Sequence, residues 1–513
     1  MTTISHPTTK THDGLWVLFA VCLAALTLPL SFSGGAIATP AISRTLGGSA
    51  ASLTWITNAF MLTFGSLLMA AGALADQFGR RRIFAAGITL FVAFSIASSF
   101  ASSVIAIDLF RAAQGVGAAA ALAGGSAAIA QEFDGHARVK AFSMLGTTFG
   151  IGLALGPVSM GLLVDRYGWQ SIFFGSGAVG MVAMVLGLPR MRETKDPNAA
   201  GLDWLGVTTF TAALSLFTFA VIQGPSFGWN SPLILTMFAG AVFMAVSFIV
   251  VEFRATHPML DLTLFRYPRF VGVQLLPIAT CYSYVVLLIL LPHRFVGVEG
   301  PTEIEAGILM LALSAPMLFV PYLAAHTAHW VSPGILSAAG LLLAAAGVFW
   351  LGRIAPGAGG LATVSPFVTA LPVVPPMLLI GLGAGIPWGL MDGLSVSVVP
   401  KERAGMASGI FNTSKVANEG VALAVVTAIF GMLTTRNAAD MAPAAADRTL
   451  LPEIAQRVVA GDLSHAILLV PGMDQAVLVH SYFQAFQSLT AALASTTTGI
   501  ALVLYLLLGR PQR

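Results

Sequence analysis

The chain has 513 residues, of which 57% are hydrophobic and only 9% charged, and its formal net charge is +3. A soluble domain carries about a quarter charged residues, so this composition, with a mean hydropathy of +0.86, excludes an ordinary soluble protein and predicts an all-α polytopic membrane protein. The pI near 9.0 does not point to nucleic acid: no basic patch exceeds a few residues. Cys22 and Cys281 both lie in apolar segments and make no disulfide framework.

Apolar runs of about 20 residues are long enough to cross a bilayer as helix. Fourteen are read: 15–38, 52–73, 83–102, 104–128, 140–163, 169–188, 204–222, 232–251, 270–291, 304–323, 333–351, 366–390, 405–432 and 482–508. The first follows a short polar stretch and resembles a signal peptide. Equally apolar segments continue behind it, so an uncleaved first helix is expected. The even number places both termini on one side. With that side cytoplasmic, its segments hold Lys10, Arg80, Arg81, Arg82, Arg138, Lys140, Arg190, Arg192, Lys195, Arg254, Arg266, Arg269, Lys401, Arg403, Arg510 and Arg513. The opposite side holds Arg44, Arg166, Arg294, Arg353, Arg436, Arg448 and Arg457, fewer than half as many. This asymmetry predicts a multi-pass protein of the cytoplasmic (inner) membrane with both termini inside.

Between the second and third runs stands Gly72-Ala73-Leu74-Ala75-Asp76-Gln77-Phe78-Gly79-Arg80-Arg81-Arg82. It is expected to be a tight charged loop, with Gly72 and Gly79 permitting sharp turns and Asp76 paired with a helix N-terminus or an arginine. The spacing of Gly72, Asp76, Gly79, Arg80 and Arg81 resembles the signature of the major facilitator superfamily, without departure. The resemblance implies two six-helix halves that rock about a midplane site. It also implies that Asp76 sits near the start of helix thirteen, around residues 401–405, and stabilises one conformation.

Ionisable groups within membrane helices are functional candidates by default. Helix four carries Arg111, followed by Gln114, Gly115 and Gly117. This resembles a family motif whose arginine is implicated in proton transfer; a structural role, with the guanidinium on backbone carbonyls or Asp108, stands beside it. Helix five carries Gly152, Gly156, Pro157 and Gly161, which resembles the motif of the family's antiporters and implies export. Met160 stands where that motif usually has another glycine. Close helix packing is the alternative reading of these glycines.

Fourteen spans imply two helices inserted between the halves, here 204–222 and 232–251, as in the fourteen-span drug:proton antiporters. The phrases Asp203-Trp204-Leu205-Gly206, Gly228-Trp229, Pro258-Met259-Leu260-Asp261-Leu262 and Val399-Pro400-Lys401-Glu402-Arg403-Ala404-Gly405-Met406-Ala407-Ser408-Gly409 resemble that subgroup too. The expected organisation is a tail at 1–14, an N-terminal six-helix bundle at 15–188, a linker with the two extra helices at 189–269, a C-terminal bundle at 270–508 and a tail at 509–513. Residues 434–481 form a long extracytoplasmic loop. A helical pattern near 450–459 within it is expected to rest on the membrane surface.

In helix thirteen, Asn412, Lys415 and Glu419 share one face at spacings of three and four. Lys415 and Glu419 are expected to pair, which leaves open a purely structural pair or a carboxylate that loads and releases a proton. Asp392, near the inner end of helix twelve, is the second carboxylate candidate. Many fourteen-span antiporters have an aspartate in helix one where this chain has Ser31, so Glu419 and Asp392 gain weight and a cationic substrate is less implied. There is no phosphate-cradling loop for ATP, and the scattered histidines suggest no metal site.

These features predict no enzyme but a proton-driven exporter of small amphipathic compounds. It uses the proton gradient and no cofactor, its partners are substrate, protons and the lipid bilayer, and it acts as a monomer. A dedicated metabolite exporter, an uptake symporter of the same fold, or a transport-fold receptor or scaffold are the alternatives.

Overall fold

The computed structural model describes residues 11–133, 135–195, 203–255, 260, 262–328, 330–354, 365–399, 404–441, 450–469 and 474–509. Among these residues the chain is helical throughout, without a strand. Fourteen helices are long and apolar enough to span a bilayer. They are α1 (Gly14–Leu46), α2 (Ala50–Phe78), α3 (Arg80–Ser99), α4 (Val104–Glu132), α5 (Met144–Tyr167), α6 (Gln170–Gly187), α7 (Trp204–Phe227), α8 (Pro232–Arg254), α9 (Pro268–Glu299), α10 (Glu303–Thr327), α11 (Pro333–Arg353), α12 (Pro366–Ser395), α13 (Ile410–Met441) and α14 (Gln475–Leu508). The number equals the number of apolar runs, but several helices extend well past them. Helix α1 continues to Leu46 through Pro40, and α14 starts at Gln475. Their ends are amphipathic and polar enough to hide from a hydropathy reading.

Helix starts are set by side chains. Ser49, Ser103, Asp203, Ser231 and Ser332 each accept a hydrogen bond from a backbone N–H in the first turn of α2, α4, α7, α8 and α11. Thr302 and Glu305 form a reciprocal capping box at α10.

Helices α1–α6 pack mainly on one another, and α9–α14 form a second group. Helices α7 and α8 pair with each other, with α7 also against α2 and α13. The two groups meet along three seams: α5 on α10, α2 on α13 and α1 on α9. At one end Arg44 of α1 forms an ion pair with Glu303 of α10. At the other, Gly72, Gly146 and Gly393 face open space, and Asp392 is exposed.

Three expectations are corrected by this arrangement. The charged stretch around Gly72–Arg82 is not a loop: α2 runs through Asp76 to Phe78 and α3 begins at Arg80, so only Gly79, with φ 116°, makes the turn. Gly72 is an ordinary helical residue with nothing near it. Second, Arg294 and Arg436 lie inside α9 and α13 rather than in loops. Arg294 is buried, its guanidinium bound to Glu299 at 2.7 Å and lying over the rings of Phe483 and Phe486.

Third, the helix Leu451–Val459 does not turn its apolar face to lipid. Leu451, Ile454, Ala455, Val458 and Val459 are buried in the protein. Beyond it Gly461, with φ 79°, packs against Pro40 of α1, His293 and Gly297 of α9. A side chain at Gly297 would collide with the backbone of Gly461, and one at Gly461 would be strained by its positive φ, which explains the close approach. The expected Asp76 contact at 401–405 falls largely outside the described residues, as do Lys401, Arg403, all of the linker residues 196–202 and most of Pro258–Asp261.

Candidate functional site

Within the first helix group the centre is Arg111, fully buried in α4. Its Nε donates to the carbonyl of Ile56 at 2.8 Å. Its Nη1 donates to Ser31 Oγ at 2.6 Å and to Gln114 Oε1 at 3.1 Å. The amide of Gln114 in turn donates to Ser95 Oγ at 2.8 Å, and the Arg111 guanidinium lies 4.4 Å from the centre of the Phe60 ring. Among the described residues no carboxylate forms an ion pair with it; Asp108, one turn away, leaves one carboxylate oxygen without a partner. A buried guanidinium is tolerated only where its donors are met, and here a hydroxyl, an amide and a carbonyl meet most of them. Nη2 has no acceptor; a Cβ at Gly35 would touch it at 3.4 Å.

A glycine makes this network possible. Gly115 brings α4 so close to α2 that a side chain there would overlap Phe60 and Thr63. Thr63 Oγ1 also donates to the Ala112 carbonyl at 2.7 Å. Sequence reasoning missed Thr63, Phe60 and Ile56, because a carbonyl acceptor or a ring face leaves no charge pattern to read.

The motif of α5 is a seam element. Gly152 and Gly156 pack on Pro29 and Ser33 of α1, while Gly161 lies on the backbone of Glu303 and Pro157 on Gly307 of α10. The departure at Met160 has a steric counterpart: its sulfur sits in the space left by Gly34. The motif thus joins the two helix groups beside the Arg44–Glu303 ion pair.

In the second group Lys415 and Glu419 form no ion pair within 4 Å, although Lys415 acts on Glu419 electrostatically. Lys415 Nζ lies 4.5 Å from the centre of the Trp388 ring of α12, a cation–π contact. The Trp388 ring in turn meets Tyr284 edge-on at 6.2 Å. Glu419 is within electrostatic reach of Lys415 and of Cys281. Cys281 and Tyr284 lie in a π-helical stretch of α9, Cys281–Val285; such bulges recur at functional sites. Tyr284, Trp388 and Cys281 were not anticipated, since each reads as core when taken singly. Asp392 follows Trp388 by one turn but is exposed, and Ser395 Oγ donates to its backbone carbonyl at 2.7 Å. Asn412 is partly buried on α13 and has a polar partner.

At the other end, Arg80 Nε and Nη2 donate to Asp76 Oδ1 at 3.2 and 3.0 Å. Arg80 Nη1 donates to Gln131 Oε1 at 2.7 Å, and Arg81 Nε donates to the Leu188 carbonyl at 3.1 Å. Arg80 and Arg81 therefore tie α2, α4 and the end of α6 together.

The family model of the Major Facilitator Superfamily matches residues 19–417. The chain belongs to that superfamily. Its relatives include the multidrug resistance protein Stp of Mycobacterium tuberculosis, 30% identical over 77% of this chain and 71% of Stp. A tetracenomycin C resistance and export protein of Streptomyces glaucescens is 29% identical over 86% of this chain and 80% of its own. A puromycin resistance protein of Streptomyces alboniger is 31% identical over 83% of each chain. Among solved structures, an inward-facing bacterial homolog of the human lysosomal transporter Spinster superposes with a TM-score of 0.65 over 97% of both chains, at 16% identity. The fold is that of the superfamily, and relatives of this transporter carry names of drug and antibiotic exporters.

Proposed function

We propose that this chain exports small amphipathic compounds in exchange for protons by alternating access, with Glu419 as the principal proton carrier. The observation that carries the reading is the placement of Glu419. It is an intramembrane carboxylate of α13 within electrostatic reach of Cys281 and of Lys415, whose ammonium lies against Trp388. Export, rather than uptake, is supported by the names of the relatives and by the α5 seam glycines. Asp392 is the weaker carboxylate, since nothing encloses it.

In this reading the Arg44–Glu303 end faces outward and is closed, and the Asp76 end faces the cytoplasm, as the distribution of arginines favours. Asp76, Arg80 and Arg81 hold the inner end and bias the conformational equilibrium. Arg111 organises α1, α2 and α4 around Ser31 and supplies fixed positive charge near the pathway. The transporting unit is one chain in the inner membrane, driven by the proton gradient.

Inverted vesicles energised with a proton gradient test this, using ethidium, puromycin and tetracenomycin C as probes. Addition of a transported probe should dissipate the gradient in wild type and not in Glu419→Gln of equal expression. Gradient-independent movement of all three, or an unaltered Glu419→Gln, would overturn the reading.

A further inference from the structure

Beneath the segment Leu451–Gly461 lies a small, partly open cavity of about 20 Å³ with an apolar wall of Leu53, Ile289 and Leu423, enough for roughly one water. Thr54, Thr57 and Asn58 of α2, His293 of α9 and Thr427 of α13 line it, and Val459 and Ala460 roof it. Two of its polar side chains are buried with an unmet valence: Asn58, 1% exposed, leaves Oδ1 without a partner, and His293, 9% exposed, leaves Nε2 without one. The imidazole also lies against the backbone of Ala36 and Val459. It therefore touches α1 and α2 of one helix group and the covering segment of the other. Glu419 and Thr427 are eight residues apart on one face of α13, so the cavity begins about 12 Å outward of the carboxylate.

The charged groups around this ring are few. Among the described residues, α2 offers Thr54, Thr57 and Asn58, and α13 offers Thr427, with Glu419 further inward and Arg436 and Asp440 further outward. On α1 the nearest charge is Arg44, engaged with Glu303. On its own helix Arg294 is held by Glu299. In the covering segment Asp462 is held by Arg457 and His465. A cationic imidazole buried here would face the backbone of Ala36 and Val459 and, among the described residues, no free carboxylate, whereas parting of the two groups at Pro40–Gly461 would hydrate it. A proton thus binds this ring differently in the two states, which is the condition for coupling.

Building on the antiport reading, we propose that His293 is the proton-loading residue of the outer half of the pathway. The imidazole takes a proton at Nε2 from outer water once the covering segment lifts from Pro40. The proton then passes through the hydrated opening to the Glu419 carboxylate, the ring returns to neutral, and only then does the outer end reseal. One proton enters and one reaches Glu419.

The test needs no substrate. Spin labels at Tyr167→Cys and Ser365→Cys, both exposed where unlabelled, report the outer separation of the two groups in lipid nanodiscs. Cys22 and Cys281 are both buried. Lowering the pH from 8 to 6 should raise the ratio of parted to closed molecules at least threefold in the otherwise native chain and leave it flat in His293→Gln. Asn58→Asp places an anion against the ring, so it should shrink or reverse the shift, and it stands as an independent check should His293→Gln fold poorly. A native chain without the shift, or variants that shift as it does, would overturn the proposal. Because the readout is conformational, failure of the vesicle assay with an intact pH shift would count against antiport and not against His293.

Discussion

The hydroxyl of Ser31 in α1 accepts a 2.6 Å hydrogen bond from Nη1 of the fully buried Arg111 in α4. A serine hydroxyl thus meets that arginine from α1, and the carboxylate that acts on it is Asp108, one turn away on α4. The guanidinium is anchored by three acceptors of different kinds on α1, α2 and α4, which only a planar fork can reach together.

Arg111→Lys should therefore abolish most transport, by about 100-fold, since an ammonium cannot span Ile56, Ser31 and Gln114. Ser31→Ala removes one acceptor from a buried charge and should cost about 2 kcal/mol of stability, with a smaller loss of transport. Ser31→Asp should give Arg111 a carboxylate partner on α1 and improve export of ethidium relative to acidic or neutral compounds. Vesicle efflux with each probe, beside thermal unfolding of the purified variants, checks all three. Equal activity of Arg111→Lys would show that only the charge matters.

Gly161 and Gly72 both belong to glycine motifs, yet their surroundings predict opposite outcomes. A Cβ on Gly161 would overlap the backbone of Glu303, while one on Gly72 meets nothing within 4 Å. Gly161→Ala should part α5 from α10, costing about 1–3 kcal/mol and most of the efflux. Gly72→Ala should be neutral or stabilise α2 by up to about 1 kcal/mol. Unfolding temperatures and efflux rates of the two variants decide it; a strong defect in Gly72→Ala would mean that the other conformation closes on this residue.

Hydropathy made the fourteen spans legible, because burying a backbone in lipid demands long apolar helices. The motif residues Arg111 and Gln114 could be read as a unit, since i and i+3 share a helix face. What stayed hidden were relations between distant segments. Lys415 and Glu419 have ideal spacing for a pair, but Trp388 from another helix takes the cation instead. Arg294 looked like a loop charge because the apolar run ends at 291, and its partner Glu299, five residues on, is brought round by the π-helical turn Phe295–Glu299. The covering helix at 451–459 reads as amphipathic either way, and only its neighbours decide whether lipid or protein meets the apolar face.

Asp76 and Arg80 form an i,i+4 ion pair at 3.0 Å with Asp76 substantially exposed. An exposed pair contributes well under about 1 kcal/mol to stability, so any functional effect of Asp76 must come from elsewhere. Asp76→Ala should leave the unfolding temperature within about 2 °C of wild type. Efflux should nevertheless fall about tenfold, through a shifted balance between the two conformations. Normal efflux in a well-expressed Asp76→Ala would remove the residue from the conformational machinery.

Asp462 is the fully buried anchor of the covering segment: Arg457 Nη1 reaches its Oδ2 at 3.0 Å and His465 Nδ1 its Oδ1 at 2.7 Å. Both partners lie within the segment itself, so the cluster shapes the turn that presents Gly461 to Pro40 and His293. Asp462→Asn keeps the volume but leaves Arg457 with Glu453 alone and takes the anion from His465. Loss of a buried ionic partner costs about 3 kcal/mol, which should appear as roughly 100-fold faster amide exchange across 451–469 if opening is local. The transmembrane helices should keep their protection. The variant should also leak at the outer end, raising the passive proton conductance of vesicles at zero substrate. Unchanged exchange in 451–469 would show that the segment is held by its apolar face alone, with Leu451, Ile454, Val458 and Val459 sufficient to seat Gly461.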